Sequence, residues 1–270
     1  MRSEEFPPEP EALPVAVLDS HTHLDIVGGD PDPQIARAAA VGVDRLVQVG
    51  VDVASSRRAA ALAERSSSVL AAVGLHPNEA PRVPDLDEAL REIESLAGLA
   101  RVRAVGETGL DTFRTGEEGR AAQEEAFRAH IAIAKRYGKA LVIHDRDAHA
   151  EVLRVLDAEG APDTVVMHCF SGDAGFAAEC VQRGYVLSYS GTVTFKNAPA
   201  LREAAAVTPV DQMLVETDAP FLTPMPYRGW RNAPYLIPLT VRCLAETTGA
   251  DLAELCGAIS ATGERVFGPW

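Results

Sequence analysis

The tripeptide His21-Thr22-His23 stands where the apolar run "VAVLDS" (15–20) gives way to a loop with glycines. An H-x-H pair aims both imidazoles to one side of an extended chain, because residues i and i+2 of a strand point the same way. Such a pair starts a metal site only if further donors occupy comparable places downstream. They do: His76 in "GLHP", Glu107 in "GETGLD", His144 in "IHDR", His168 in "MHCFSG" and Asp218 in "ETDAP" each end an apolar, β-branched run. Five of the seven histidines fall at such run ends.

Imidazole with carboxylate suits Zn, Mn, Fe, Ni or Co, and carboxylate-rich sites also take Mg. His21, His23, Glu107, His144, His168 and Asp218 are too many donors for one tetrahedral ion and enough for two ions sharing a carboxylate. Two divalent ions about 3.5–4 Å apart activate a water and stabilise both oxygens of a displacement at phosphorus. Strand parity sets Asp19 one layer beneath His21 and Glu216 one layer beneath Asp218. Buried carboxylates need partners, so both are expected to accept from histidine N–H groups behind the metal ligands.

His76 is open between contact with a substrate phosphate or bound water and a cap on the turn before Pro77. Arg146, just past His144, is a bidentate phosphate donor or a partner of Asp145 or Asp147. Arg228 and Arg231 in "PYRGWRN" are candidates for the same phosphate contact, and Trp230 for base stacking. Lys196 is a weaker candidate. Cys169 reads as a buried structural thiol, and His130 and His149 as surface or satisfied histidines on helices.

Eight apolar runs position these residues, at 15–20, 45–50, 69–76, 102–107, 140–145, 164–170, 185–191 and 213–218. Helical segments separate them. In "QEEAFRAHIAIAKRYGKA", Phe127, Ile131 and Ala134 share one face, and Gly138 supplies the stop. Strands joined by crossover helices imply a parallel sheet, and eight units imply an α/β fold, a single (β/α)8 TIM barrel. Residues 251–267 read as one extra C-terminal helix. The expected organisation is a disordered lead over 1–14 and one barrel over 15–270. The lead has no apolar segment of a secretory signal.

No run approaches the roughly 20 apolar residues of a membrane span. Four cysteines without C-x-x-C spacing point to reduced thiols and a cytoplasmic location. A net charge of −14 argues against a broad basic nucleic-acid face, so an anionic substrate must be held by metal ions or a few arginines.

The ordered set "DSHTHLD", "VGLHPNEA", "GETGLD", "IHDRDA", "HCFSG", "SGTVTFKNA" and "VETDAPFLTPMPYRGWRNAP" resembles the TatD family of metal-dependent deoxyribonucleases, within the amidohydrolase-like metallohydrolases. The resemblance runs from about Val15 to the final helix. It implies a (β/α)8 fold and two divalent metal ions, Mg or Mn in function, with Zn or another transition metal possible as bound. It implies that His21, His23, Glu107 and Asp218 hold one ion and Glu107, His144 and His168 the other. Asp218 would orient or deprotonate the attacking water. The implied activity is a 3′-to-5′ exonuclease on single-stranded DNA. RNA is a related substrate, and D-aminoacyl-tRNA deacylation, an ester hydrolysis, is the alternative. His76, Arg146 and Arg231 are the expected substrate contacts, and a monomer is expected. Asp145 departs from the family, which commonly carries serine or threonine after this histidine.

Overall fold

The computed structural model describes residues 5–270. Its elements begin with β1 (Val17–Thr22), α1 (Leu24–Val27), α2 (Pro31–Ala40), β2 (Val43–Val49), α3 (Val53–Arg65), β3 (Val69–Val73) and α4 (Leu86–Ala97). They continue with β4 (Val102–Asp111), α5 (Glu117–Tyr137), β5 (Ala140–Arg146), α6 (His149–Glu159), β6 (Val165–Met167) and α7 (Ala174–Gln182). Last come β7 (Val186–Tyr189), α8 (Pro199–Val207), β8 (Met213–Val215), α9 (Ile237–Thr248) and α10 (Leu252–Phe267). The strands succeed one another in the sheet in the order β1 to β8. That succession of strands and helices is the (β/α)8 fold, with α10 the extra C-terminal helix.

The chain divides into two units, one of residues up to Val47 with Gly172–Trp270, the other of Gln48–Ser171. In the second, β3, β4, β5 and β6 pair in parallel. Their residues read as near-continuous Val, Ala, Leu and Ile because both faces are covered. The face predicted for α5 is buried, with Phe127, Ile131 and Ala134 at most 1% exposed; burying a phenylalanine contributes about 1.5–3 kcal/mol. Gly138 ends α5 at φ 59°, where a side chain would be strained. Asp52 caps α3 in a reciprocal box with Ser55, and Asp85 caps α4, each cap worth about 1 kcal/mol.

In the first unit, β7 pairs with β8 in parallel, and a bridge from Thr22 to Ala219 sets β1 beside the segment that follows β8. Helix α10 starts at the cap Asp251 and lies against β1 and β8. Residues 1–4 of the expected disordered lead lie outside the described residues. From Glu5 onward the lead is held in place. The Leu13 amide donates to Val41 O at 3.0 Å, Tyr235 Oη donates to Pro7 O at 2.5 Å, and Arg37 pairs with Glu9 at 2.7 Å. The buried Leu13 side chain and these backbone acceptors fix a segment that composition alone marks as loose.

Candidate metal centre

In the first unit the site begins at β1. His21 is the fifth residue of that strand, and His23 follows its end. Both are buried, and their Nε2 atoms lie 3.3 Å apart. Asp218 Oδ1 lies 3.4 Å from His23 Nε2. Two imidazole nitrogens facing each other beside a carboxylate require a proton or a cation between them. Asp218 holds a left-handed backbone, φ 52°, an uncommon conformation for a residue other than glycine. Its amide donates to His21 O at 2.9 Å, which ties the two ligand-bearing segments together.

Asp19 does not serve the histidine rings. Its carboxylate accepts from Thr217 Oγ1 at 2.5 Å, the Thr217 amide at 2.9 Å and the His21 amide at 3.2 Å. The parity argument found its side of the strand, but Thr217 offers two nearer donors. Complete burial pushes the Asp19 carboxyl up to about 8, against the pull of these hydrogen bonds. Glu216 is fully buried.

In the second unit Glu107 is the centre. It lies where the β4–β5 register shifts, between Val105 and Thr108. Three imidazoles meet its Oε1: His144 Nδ1 at 2.7 Å, His76 Nε2 at 3.4 Å and His168 Nε2 at 3.4 Å. His76, Glu107 and His144 each offer a ligand atom within 4.8 Å of the others. Burial opposes charge on Glu107, yet His76, His168 and His144 together hold its carboxyl well below the usual range. Burial likewise opposes charge on His144, but bonds to Asp111 and Glu107 outweigh it and raise the imidazole to about 9. A carboxylate ringed by imidazole nitrogens is a donor set fit for a divalent transition metal.

The capping reading of His76 finds support, since its Nδ1 accepts the Asn78 amide at 3.0 Å. Sequence reasoning missed Asp111 and Asn78. Asp111 Oδ2 lies 3.2 Å from His144 Nε2 and 2.8 Å from Asn78 Nδ2. Burial raises Asp111, but His144, the Arg114 amide and Asn78 outweigh it and set the carboxyl below its usual range. The signal was present, because Glu107, Gly109 and Asp111 alternate on one face of an extended β4.

Arg146 pairs with neither Asp145 nor Asp147. Asp145 is taken by His149 Nδ1 at 2.6 Å, and the Arg146 guanidinium stacks 4.8 Å above the ring of Phe113, itself 64% exposed. Arg231 is drawn inward, donating to Val27 O at 2.6 Å and lying over Phe6. Arg228 stacks on Phe195 and donates to Asn197 at 3.4 Å. Trp230 packs edge-on against Tyr227 and is 36% exposed. Cys169 is half-buried, Lys196 is exposed, and His130 is fully buried and hydrogen-bonded.

A family model described as TatD related DNase matches residues 18–268. A Mycobacterium tuberculosis protein named as an uncharacterized metal-dependent hydrolase TatD is 48% identical over 260 residues, covering 93% of this chain and 98% of that protein. A Citrobacter rodentium protein named 3′-5′ ssDNA/RNA exonuclease TatD is 35% identical over 247 residues, covering 88% and 92%. The crystal structure of YJJV, a TatD homologue from Escherichia coli K12, superposes with a TM-score of 0.87 at 30% identity, over 93% of this chain and 97% of that one.

Proposed function

The chain belongs to the family of TatD-related DNases and is a metal-dependent hydrolase, and on that premise we propose that it trims single-stranded DNA from the 3′ end. The observation that carries the choice of substrate is Arg146. Two residues beyond His144, it is a guanidinium with no carboxylate partner among the described residues, stacked on the exposed Phe113. A phosphate suits the guanidinium and a base suits the ring. An ester or amide hydrolase acting on a small neutral substrate has no use for the pair.

We assign His21, His23 and Asp218 as the residues that would hold one divalent ion and Glu107, His144 and His168 as those that would hold a second, as the family motifs imply. When bound, such ions, Mg or Mn in function, would supply an activated water and positive charge for the phosphate oxygens. Asp218 orients the attacking water and takes its proton. Arg146 holds a phosphate oxygen, and Phe113 fixes the adjoining base so that the scissile bond stays in line. We place the protein in the cytoplasm as a monomer, a location consistent with cysteines that show no C-x-x-C spacing.

The test is nucleotide release from 3′-labelled single-stranded DNA by chelator-treated protein, with and without Mg or Mn. Stepwise trimming restored by metal and absent in His168→Ala is the expected result. No trimming of DNA or RNA by metal-loaded protein would overturn the nuclease reading, and cleavage of D-aminoacyl-tRNA instead would put an ester in its place.

A further inference from the structure

Asp111 is 1% exposed at the end of β4, and both of its oxygens are fully engaged. Oδ1 accepts from the amides of Phe113 at 3.0 Å and Arg114 at 2.7 Å. Oδ2 faces Asn78 Nδ2 at 2.8 Å and His144 Nε2 at 3.2 Å. Its own backbone is clasped by Gln123, whose Oε1 accepts the Asp111 amide at 3.1 Å and whose Nε2 donates to Asp111 O at 3.3 Å. A carboxylate held by three donors besides the imidazole cannot swing round to become a ligand. It can only present a fixed acceptor to His144.

The opposite edge of the same ring points at Glu107, with Nδ1 at 2.7 Å. His144 therefore has one nitrogen facing the candidate ligand cluster and the other facing a charged acceptor away from it. We propose that Asp111 is a positioning residue that keeps the His144 proton on Nε2, so that Nδ1 presents its lone pair to the metal. The proposal rests on the metal-binding reading of His144. A ligand histidine whose second N–H is held by a carboxylate has a fixed tautomer and ring angle, and loss of that partner typically costs 10–100-fold in metal affinity.

Asp111→Asn changes this in a defined way. The amide oxygen stays on the two backbone N–H donors, because the amide nitrogen cannot accept from them. The nitrogen then faces His144 Nε2 and demands a lone pair there, which moves the ring proton to Nδ1, toward the ligand cluster. Replacing a carboxylate by its amide behind a working imidazole inverts the tautomer, and Asn78, whose Nδ2 lies 2.8 Å from the replaced oxygen, must turn its own amide to present Oδ1. Asn78→Ala removes a neighbouring donor and loosens the same turn, yet it leaves the carboxylate against His144.

The experiment measures zinc affinity by competition with a chromophoric chelator, and the ring nitrogen shifts of His144 in zinc-loaded protein carrying 15N-histidine, assigned by the peak lost in His144→Gln. The expected wild-type spectrum shows zinc on Nδ1 and the proton on Nε2. Asp111→Asn should lose about 10–100-fold in affinity, and Asn78→Ala should lose less than about threefold. Zinc on Nε2 of the wild-type ring would overturn the proposal whether or not the Asn variant folds. So would an Asn78→Ala loss equal to that of Asp111→Asn, which would mark a packing role. If zinc leaves both His144 nitrogens unshifted while it binds elsewhere, the ligand reading of His144 fails and the proposal fails with it.

Discussion

His130 sits wholly inside α5 and is a hydrogen-bonded member of the core. Its Nδ1 donates to Ala126 O at 2.6 Å, and its Nε2 accepts the Leu75 amide at 3.0 Å. Leu75 immediately precedes His76, so this buried ring anchors the backbone that carries one of the Glu107 partners. Accepting the Leu75 amide requires the neutral ring, and burial depresses the imidazole to about 4 against the weaker pull of Ala126. An unfolded histidine titrates near 6.5. Because the folded value is the lower one, the contribution to stability is complete above about pH 6.5 and is lost as pH falls toward 4.

Between pH 7.5 and 4.5 that loss is roughly 2.5 kcal/mol. The wild-type profile alone will not show it, because Asp19, raised to about 8, gains stability over the same range. The difference between wild type and His130→Gln removes every group the two share. Urea unfolding of the metal-free proteins, followed by far-ultraviolet circular dichroism, should show wild type ahead by about 1–3 kcal/mol at pH 7.5. That lead should shrink by roughly 2.5 kcal/mol at pH 4.5. A gap constant to within about 0.5 kcal/mol across the range would refute the reasoning and mean that His130 titrates alike in both states.

Gly109 has φ 136°, and a Cβ there would lie 2.1 Å from His144 O, so Gly109→Ala should cost more than about 2 kcal/mol and weaken zinc binding; a melting temperature unchanged by the substitution would contradict this. Arg146→Ala should raise KM for single-stranded DNA about tenfold with kcat little changed, and Phe113→Ala should raise KM and also lower kcat, since the base it fixes keeps the scissile bond in line. KM for the wild type should vary only weakly with salt, and Arg146→Ala should reduce the log–log slope by about 0.7, the share of one single-strand phosphate. Since His144 is raised to about 9, metal binding at pH 7 must displace its proton. Calorimetry in buffers of different ionisation enthalpy should therefore show about one proton released per site, and affinity should fall about tenfold per pH unit below 9.

What the sequence made legible follows from how the physics is written there. Parallel strands buried on both faces must be nearly continuous apolar runs, so all eight could be placed, with ends off by a few residues. His168 and Asp218 lie beyond β6 and β8 rather than on them. The candidate ligand set was legible because imidazoles and carboxylates at strand ends are costly without a purpose. Partner choice was not. Parity gave the direction of Asp19 but not Thr217, which sits 198 residues away in the chain and reaches the carboxylate first. Arg146 could not be read either, since its two sequence neighbours were carboxylates and only the fold shows Asp145 already taken by His149.

Asp111 shows where alternation fails and why. In an ideal strand, Glu107 and Asp111 would be two similar carboxylates four residues apart, both candidates for the metal. The register shift beside Glu107 and the missing side chain at Gly109 let β5 come close, so that His144 lies between them with one nitrogen for each. The turn after β4 then supplies Phe113 and Arg114 amides to Asp111 alone. Backbone donors have no sequence signature, and they are what separates a ligand from the residue that aims one. Glu107 is met by imidazoles. Asp111, met by amides, is fixed as an acceptor. The same turn carries Phe113 beneath Arg146, so the peptide that locks the acceptor for His144 also presents the ring proposed to hold a base.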